Sequence, residues 1–541
     1  MMTKVYSVLL CSGASCISSG GFSFRDALVD ELKKKNLQDS VKIVETGCVG
    51  ICELGPVAIV YPDGVFYKKL KPEDAKDIVS EHFEKGRAVS RLMYKDAVAD
   101  KIIEKATEMP FFSKQLKIVL RNTGVIDPES LDEYVGKDGY TALAKVLTQM
   151  KPEDVIKEIK DSGLRGRGGA GFPTGLKWEF VRNSQSEQKY VVCNADEGDP
   201  GAFMDRSVLE GDPFSIIEAM TIAGYAVGSN KGYVYVRAEY PLAIKRLKKA
   251  IETAYKENLL GKNIFETPFS FDLEIRVGAG AFVCGEETAL MHSVEGKRGT
   301  PNTKPPFPAD KGLWEKPTLI NNVETYANVC QIIIKGSKWF SSIGTEKSKG
   351  TKVFALAGEI NNTGLVEVPM GTTLREIIYD IGGGMPEGKV FKAAQMGGPS
   401  GGCIPAEYID TPLDYESVKK LGTIIGSGGL IVMSQDTCMV DLAKYFLDFT
   451  QDESCGKCPS CRIGTKKMLE ILERISKGRA DESEIDLLIH LGEQICKTAL
   501  CGLGQTAPNP VLSTLRYFKD EYYEHIREKK CRANVCFKKK K

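Results

Sequence analysis

Histidine is scarce in this chain, and neither sign of charge is in excess. The 541 residues include 4 His, and 73 Lys plus Arg stand against 72 Asp plus Glu, for a net charge of +1. This balance argues against a nucleic-acid-binding protein, which carries a basic excess. With so few imidazoles, metal binding would have to rest mainly on other ligands.

Long apolar segments are missing as well. The longest weakly polar run, residues 421–433, is rich in glycine and too short to span a bilayer. The first residues, Met1–Val5, lack the long apolar core of a signal peptide. We therefore expect a cytoplasmic protein without membrane insertion, in a reducing compartment where thiols are better interpreted as metal ligands than as disulfides.

Cysteine, in contrast, is abundant, with 16 residues, and spacing separates predicted ligands from predicted core residues. The closely spaced groups are Cys11 with Cys16, Cys48 with Cys52, Cys455 with Cys458 and Cys461, and Cys531 with Cys536. Six others are scattered, mostly in apolar surroundings, and are predicted to be small buried side chains: Cys193, Cys284, Cys330, Cys403, Cys438 and Cys496.

The first 90 residues have the pattern of a small α/β unit. Strands are predicted near residues 5–10 and 41–44, a helix at 24–35, and a hairpin at 57–67. The first two cysteine pairs follow the first two strands, and four thiolates suit a [2Fe-2S] centre. The alternative is a four-cysteine zinc knuckle, whose usual spacing is C-x2-C rather than C-x4-C.

The remaining chain changes its period several times. Residues 91–150 are charged and helical in period, with an interruption near Pro110, which predicts a helical connector. Residues 151–335 are rich in glycine, and residues 350–430 return to short strands and turns. From Asp441 to about Arg527 the period is helical again.

The glycine-rich loop at Gly166–Gly171 has the literal pattern G-x-G-x-x-G. A Rossmann dinucleotide loop must follow a strand, whereas residues 152–160 have the apolar stripe of a helix, so the ordinary dinucleotide interpretation is disfavoured. Glycines still let backbone N–H groups approach an anion or a ring, and Lys177 could supply positive charge to a phosphate. A tight structural turn explains the motif about as well.

Three further loops carry polar groups in places where ligands bind. A buried strand at 190–193 ends in Asn194–Phe203, whose carboxylates suit sugar hydroxyls, a divalent metal or a solvated turn. Residues 278–290 place glycines before a helix, whose positive end suits phosphate. Residues 321–325 place two Asn and a Thr within one helical turn, which a helix cap would also explain. Four such loops together favour a ligand site.

These loops, together with the C-x2-C-x2-C motif inside residues 453–462, resemble a known family. It is the flavin- and NADH-binding subunit of respiratory complex I, with soluble relatives in bacterial hydrogenases and formate dehydrogenases. The likeness covers about residues 105–525. The first 90 residues resemble thioredoxin-like [2Fe-2S] ferredoxins, an extension typical of the NAD(P)-linked [FeFe]-hydrogenase subunit, including the electron-bifurcating kind.

The resemblance implies an α/β multidomain fold with six parts. They are a thioredoxin-like [2Fe-2S] ferredoxin domain (1–90), a helical connector (91–150), a Rossmann-like FMN/NADH-binding domain (151–340), a ubiquitin-like β-grasp (SLBB) domain (341–434), a C-terminal helical bundle with a [4Fe-4S] cluster (435–527) and a tail (528–541). Relatives carry a second ferredoxin domain after a similar C-x4-C, so the tail is expected to be truncated.

The resemblance also implies which residues bind the flavin and the nucleotide. FMN would be bound by Gly166, Arg167, Gly168, Lys177, Asn194, Asp196, Glu197, Gly285, Glu286, Asn321, Asn322 and Thr325. NADH would stack between Phe172, Phe180 and Phe307, with Asp199, Glu287 and Lys304 nearby.

Two positions depart from the family pattern. Asp199 stands where the family usually has Glu, and Phe282 stands where it often has Tyr, which removes one hydrogen bond near the flavin. Glu287, if it faces the adenosine ribose, would repel a 2′-phosphate and favour NAD over NADP.

The cysteine triplet is a strong [4Fe-4S] signal but needs a fourth ligand. The family position implies that the ligand set is Cys455, Cys458, Cys461 and Cys501. Cys496 is the rival for the fourth place.

A second metal set is expected near the tail, where three thiolates and one imidazole could bind zinc: Cys438, His525, Cys531 and Cys536. Free thiols are the alternative. The lysine run at 538–541 is most simply a solvated end.

The function that follows is hydride exchange between NADH and FMN, with single electrons passed through iron–sulfur clusters to partner subunits. Such chemistry demands no side-chain general base, which fits the shortage of histidine. The expected partners are a hydrogenase catalytic subunit, a small [2Fe-2S] thioredoxin-like subunit and, in a bifurcating complex, ferredoxin. The alternatives are a diaphorase subunit of an NAD-linked formate dehydrogenase or complex I itself.

Overall fold

The computed structural model describes residues 5–96 and 101–537. Within these ranges, no helix is both long and apolar enough to cross a bilayer. The first residues, Met1–Val5, in which no signal peptide is predicted, lie mostly outside the described residues. The lysine run at 538–541 lies wholly outside them.

A four-stranded sheet opens the chain, in the order β2-β1-β3-β4. Its elements are β1 (Tyr6–Cys11), α1 (Ala14–Ser18), α2 (Gly21–Lys34), β2 (Val41–Thr46), β3 (Ala58–Tyr61), β4 (Val65–Tyr67) and α3 (Asp74–Asp77). β1 is parallel to β2 and antiparallel to β3. The apolar face of α2, with Phe24, Leu28 and Leu32, is buried, as its spacing predicts.

The segment after this sheet is less helical than its period predicts. It contains a hairpin of β5 (Tyr94–Asp96) and β6 (Lys101–Ile103), then α4 (Pro110–Ser113), α5 (Leu131–Val135) and α6 (Thr141–Gln149). The prediction of a helical connector is therefore wrong for the described residues 91–96 and 101–130, where α4 is the only α-helix. Tertiary hydrogen bonds replace helical ones there, because the buried Glu367 carboxylate accepts the backbone N–H groups of Ile118, Val119 and Leu120.

A parallel sheet in the order β10-β7-β8-β9 forms the centre of the next domain. Its strands are β7 (Tyr190–Ala195), β8 (Lys231–Arg237), β9 (Asp272–Gly278) and β10 (Thr318–Asn322). Its helices are α7 (Pro152–Asp161), α8 (Thr174–Asn183), α9 (Met204–Gly211), α10 (Pro213–Val227), α11 (Pro241–Lys256), α12 (Glu287–Val294), α13 (Val323–Lys335) and α14 (Ser337–Ser341). β7 is buried along most of its length, and the apolar α10 is almost wholly covered.

A mixed five-stranded sheet follows, in the order β12-β11-β15-β13-β14. Its elements are β11 (Thr351–Gly358), β12 (Gly364–Pro369), β13 (Phe391–Met396), β14 (Gly402–Pro405), α15 (Tyr415–Lys420) and β15 (Gly429–Ser434). The last region is helical, as predicted, with α16 (Met439–Asp452), α17 (Pro459–Ser476), α18 (Ser483–Thr498), α19 (Gly502–Thr506), α20 (Asn509–Tyr523) and a π-helical turn at Glu524–Glu528.

A buried arginine fastens the first sheet to the central domain. Arg246 of α11 donates to Ser12 Oγ (2.8 Å) and to the carbonyls of Glu45 (3.2 Å) and Glu210 (2.6 Å). Ser12 follows Cys11 directly, so this contact positions the first cysteine loop against α9.

Candidate flavin site and cysteine clusters

The loop at Gly166–Gly171 lies between α7 and α8, so it follows a helix, as the sequence indicates, and is not a Rossmann loop. Gly166 N donates to Phe172 O (2.8 Å), which closes the loop. A Cβ on Gly168 would lie 3.0 Å from the Asn322 Cβ, so glycine lets the loop approach the end of β10 closely.

The side chain of Arg167 has a structural role that the sequence did not indicate. It is fully buried and donates to the carbonyls of Lys349 (2.6 Å) and Thr351 (3.0 Å) in the neighbouring domain. Its backbone N–H donates to Thr325 Oγ1 (2.8 Å). Arg167 therefore fastens the glycine loop, and its guanidinium is already occupied by protein acceptors.

The carboxyl end of β7 provides an unpartnered buried acid. Both carboxylate oxygens of Asp196 are buried and have no hydrogen-bond partner among the described residues. Burial raises the pKa of Asp196 to about 7. Asn194 Nδ2 donates to Gly285 O (2.9 Å), which joins this loop to the glycines before α12. Such an acid fits a ligand that donates hydrogen bonds, as the hydroxyl and ring N–H groups of FMN do.

Glu197, the next residue, has a different role from Asp196. Its carboxylate accepts the backbone N–H groups of Asp205 (3.0 Å) and Arg206 (3.1 Å), which lie in the first turn of α9. Burial raises the pKa of Glu197 in spite of these bonds. Glu197 thus connects the loop after β7 to α9.

The two asparagines after β10 mainly organise the loop. The Asn322 side chain caps α13 by accepting from Glu324 N (2.9 Å) and donates to Asp205. The Asn321 carboxamide is oriented so that both its oxygen and its nitrogen have hydrogen-bond partners. In that orientation the oxygen accepts the indole N–H of Trp178 (3.0 Å). The helix-cap alternative is therefore correct for Asn322.

A charged group joins the predicted flavin and nucleotide residues. Lys177 Nζ lies 3.2 Å from Glu287 Oε2, and Lys304 pairs with both Glu287 and Glu286, the latter at 3.4 Å. Burial opposes ionisation of Glu287, but Lys177 and Lys304 hold its pKa below the usual value. The Glu286 carboxylate also caps α12 by accepting the N–H of Ala289 (3.0 Å).

The predicted nucleotide aromatics are exposed. Phe172, Phe180 and Phe307 are 44%, 47% and 53% exposed, and the first two ring centroids are 6.4 Å apart. Asp199 instead faces the neighbouring domain, where its carboxylate accepts from the Ser427 hydroxyl and burial raises its pKa to about 6. The structure therefore brings Lys304 and Glu287 together but does not bring Asp199 to that group.

The four N-terminal cysteines meet in one cavity. Cys11, Cys16, Cys48 and Cys52 all line a space of about 390 Å³. Contact with Cys16, together with burial, raises the pKa of Cys11 to about 12, although Cys48 opposes the rise. Four thiols around one cavity are the donor set of a [2Fe-2S] centre.

The second cysteine set lies at the start of α17 and before α19. Burial, together with the nearby thiols of Cys458, Cys501 and Cys455, raises the pKa of Cys461 to about 11. Cys501 directly precedes α19, and a Cβ on Gly504 of that helix would lie 3.5 Å from Cys461 Sγ, so the contacts favour Cys501 over the half-buried Cys496 as the fourth thiol. The other scattered cysteines are buried, as predicted.

This second set borders the loop at residues 278–290, one of the loops predicted to bind flavin. Cys455 packs against the apolar group that contains Val283 and Cys284, next to Gly285. Phe282 N donates to Glu453 Oε2 (2.8 Å), and its ring packs on Phe449 at a centroid distance of 5.3 Å. Phe282, where a hydroxyl is often expected, thus holds the flavin loop against the helical region.

The tail residues also converge. One ligand atom from each of Cys438, His525, Cys531 and Cys536 lies within 4.8 Å of the others. Cys438 Sγ is 3.5 Å from His525 Nε2 and 3.5 Å from Cys536 Sγ. His525 Nδ1 donates to Glu521 O (2.6 Å), which leaves Nε2 free to bind a metal.

Comparison with known proteins agrees with this arrangement. Family models match a thioredoxin-like [2Fe-2S] ferredoxin (residues 2–82), the Nuo51 FMN-binding domain (159–331), an SLBB domain (353–404) and the NADH-ubiquinone oxidoreductase-F iron-sulfur binding region (441–525). The NADP-reducing hydrogenase subunit HndC of Solidesulfovibrio fructosivorans is 63% identical over 423 residues, which are 78% of this chain and 86% of the relative.

The chain belongs to the family of FMN- and NADH-binding oxidoreductase subunits shared by complex I and hydrogenases. An NADH-quinone oxidoreductase protein of Rhizobium meliloti (strain 1021) is 43% identical over 414 residues, 76% of this chain and 98% of that protein. A crystal structure of an NAD+-reducing [NiFe]-hydrogenase in the H2-reduced state covers 97% of this chain and 85% of its own, at 28% identity and a TM-score of 0.68. The predicted fold class and the FMN and iron–sulfur domains are thus confirmed.

Sequence reasoning missed several residues that shape these sites. Asp205 and Arg206 lie beside the flavin loop and the first thiol cavity, and Arg246 joins two domains. None of them belongs to a motif, and no local pattern marked them.

Proposed function

We propose that this chain is the NAD(H)-reactive subunit of a multisubunit hydrogenase. FMN bound at the loops after β7 and β10 supplies the conversion between a hydride pair and single electrons. The contribution of the chain is to hold that cofactor and the nucleotide. It also places one predicted iron–sulfur centre, which carries single electrons, on either side of the flavin site. The family assignment supports a flavin subunit of a hydrogenase or of complex I, and the choice of a hydrogenase is our proposal.

The observation that carries this proposal is that each thiol set borders one of two predicted flavin loops, which the hydrogen bond from Asn194 to Gly285 joins. Cys455 packs against the apolar group of Val283 and Cys284, which precede Gly285, and the cavity of Cys52 is walled by α9, which begins at the loop after β7. An electron carrier without a flavin would have no use for the loop after β7 and its buried Asp196, which has no hydrogen-bond partner among the described residues. A flavin subunit can use both to bind its cofactor.

On the nucleotide side, we propose that the exposed rings of Phe172, Phe180 and Phe307 cover NADH. Lys304, beside Glu286 and Glu287, would then lie close to the dinucleotide. We propose NAD rather than NADP as the preferred substrate, because Glu287 would oppose a 2′-phosphate. One similar protein is named an NADP-reducing hydrogenase subunit, so this preference is directly testable.

We propose a hydrogenase catalytic subunit and a small [2Fe-2S] subunit as partners. Ferredoxin would be a third partner if the complex bifurcates electrons. Subunits of complex I and of NAD-linked formate dehydrogenase are the alternative, and the additional N-terminal [2Fe-2S] domain favours the hydrogenase. The six-part domain division given above belongs to the same proposal.

We also propose that Cys438, His525, Cys531 and Cys536 bind zinc. Three thiolates and one imidazole are a usual structural zinc set. The contact between Cys438 and both His525 and Cys536 supports it, as does the hydrogen bond that orients the imidazole.

The deciding experiment uses the purified native complex. We expect NADH to bleach the bound flavin, and we expect hydrogen production from NADH or NAD+ reduction by hydrogen. Running the assay with and without reduced ferredoxin separates bifurcation from a simple NAD-linked hydrogenase. Flavin bleaching without any hydrogen activity in an intact complex would contradict the hydrogenase assignment and favour the alternative subunits.

A further inference from the structure

The cavity of the N-terminal thiols is not enclosed by its own domain alone. Besides the four cysteines, Arg206, Ser207 and Glu210 of α9 line it, and Thr363 lines it from the segment just before β12. Charges from the flavin-binding domain therefore lie at the edge of the predicted [2Fe-2S] centre.

Arg206 is held in this wall by three contacts. Its backbone N–H donates to Glu197 Oε2 (3.1 Å), its Nε donates to Glu210 Oε1 (3.1 Å), and its guanidinium lies 5.4 Å from the Tyr240 ring centroid. Among the residues that the structure describes, neither Nη atom has a hydrogen-bond partner.

We propose that Arg206 raises the reduction potential of the [2Fe-2S] centre at Cys11, Cys16, Cys48 and Cys52. This inference rests on the proposed function, because it requires that the centre is assembled there. In one-electron reduction, the cluster gains one electron from the flavin reduced by NADH and becomes more negative by one charge, with no proton required. A fixed positive charge nearby stabilises that reduced form.

The arginine suits this role for two reasons. The Arg206 guanidinium contacts both Glu210 and the Tyr240 ring, which hold its charge at the cavity wall. Its side chain is 23% exposed, so solvent screens its charge less than it would at an open surface, and the paired Glu210, which also lines the cavity, offsets part of that charge. Because the Arg206 backbone also binds Glu197 in the flavin loop, one helix turn connects the flavin loop to the cluster cavity.

The test is a reductive titration of the full chain, followed by electron paramagnetic resonance of the [2Fe-2S] signal. Arg206→Gln should lower the equilibrium constant for one-electron reduction about tenfold, which is about 59 mV for a one-electron couple. Arg206→Lys should retain most of the wild-type potential. Arg276→Gln is the matched control, because Arg276 is exposed, pairs with Glu274 (3.2 Å) and does not line the cavity.

A second variant separates charge from structural damage. Thr363→Lys places a positive charge at another position on the cavity wall, so it should raise the midpoint potential alone and restore it in combination with Arg206→Gln. The proposal is overturned if Arg206→Gln matches the Arg276→Gln control, or if Thr363→Lys leaves the midpoint unchanged. If Arg206→Gln fails to assemble the cluster, Thr363→Lys alone decides. Absence of any [2Fe-2S] signal in the unmodified protein would instead contradict the cofactor assignment.

Discussion

Asp196 offers a quantitative test of the flavin site. Burial raises its pKa from 3.8 to about 7, and a difference of about three pH units corresponds to about 4 kcal/mol. Because burial raises the pKa of Asp196 in the folded state, ionisation of this carboxyl destabilises the fold. The loss of stability is absent below pH 3.8, grows as pH rises and is complete above about pH 7. A flavin that donates hydrogen bonds to the carboxylate would offset part of that cost.

We therefore expect Asp196→Asn to weaken FMN binding above about pH 7. Charge-assisted hydrogen bonds contribute about 1.5–3 kcal/mol, which corresponds to roughly a 10- to 150-fold change in Kd. The difference between the two proteins should narrow as pH falls below about 7, because the wild-type carboxyl then becomes protonated. Fluorescence titration of deflavinated protein with FMN at several pH values measures both effects.

Asp199→Asn is the matched control for this experiment. Asp199 is also buried, with its pKa raised to about 6, but the Ser427 hydroxyl already satisfies it. We expect this variant to bind FMN nearly as the wild type does. Equal FMN affinity and equal pH dependence in Asp196→Asn and the wild type would refute the assignment of Asp196 to the flavin.

Three further outcomes are expected. Glu287→Ala should raise the ratio of kcat/KM for NADPH to that for NADH on the order of tenfold, because Lys177 and Lys304 would lose their counter-charge, and a tenfold change needs about 1.4 kcal/mol. An unchanged ratio would show that Glu287 does not determine nucleotide specificity. Cys501→Ala should abolish the [4Fe-4S] signal while Cys496→Ala preserves it, as spectroscopy of both variants would show, and the reverse result would exchange their roles. Cys531→Ala should lose one zinc per chain in metal analysis with iron content unchanged, whereas zinc-free wild-type protein would contradict the site.

Local patterns were sufficient where a motif describes its own geometry. The strands and helix of the first 90 residues form as their periods predict, and the G-x-G-x-x-G loop does follow a helix. The cysteine pairs also converge, because each pair lies at or just beyond the carboxyl end of one of two neighbouring parallel strands, β1 and β2. The same reasoning was wrong for most of the described residues between 91 and 130, where Glu367, distant in sequence, binds three consecutive backbone N–H groups.

The sequence by itself determined the cysteine groups and the glycine-rich loops, because residue spacing reports on structure within a few turns of chain, and its resemblance to a known family implied the domain types. Only the tertiary structure decided which side chains remain free for ligands. It occupies Arg167 with carbonyl groups and leaves Asp196 without a hydrogen-bond partner among the described residues. It also places Arg206 at the first cysteine cavity. Burial and charge depend on contacts between residues far apart in the chain, and no local spacing encodes those contacts.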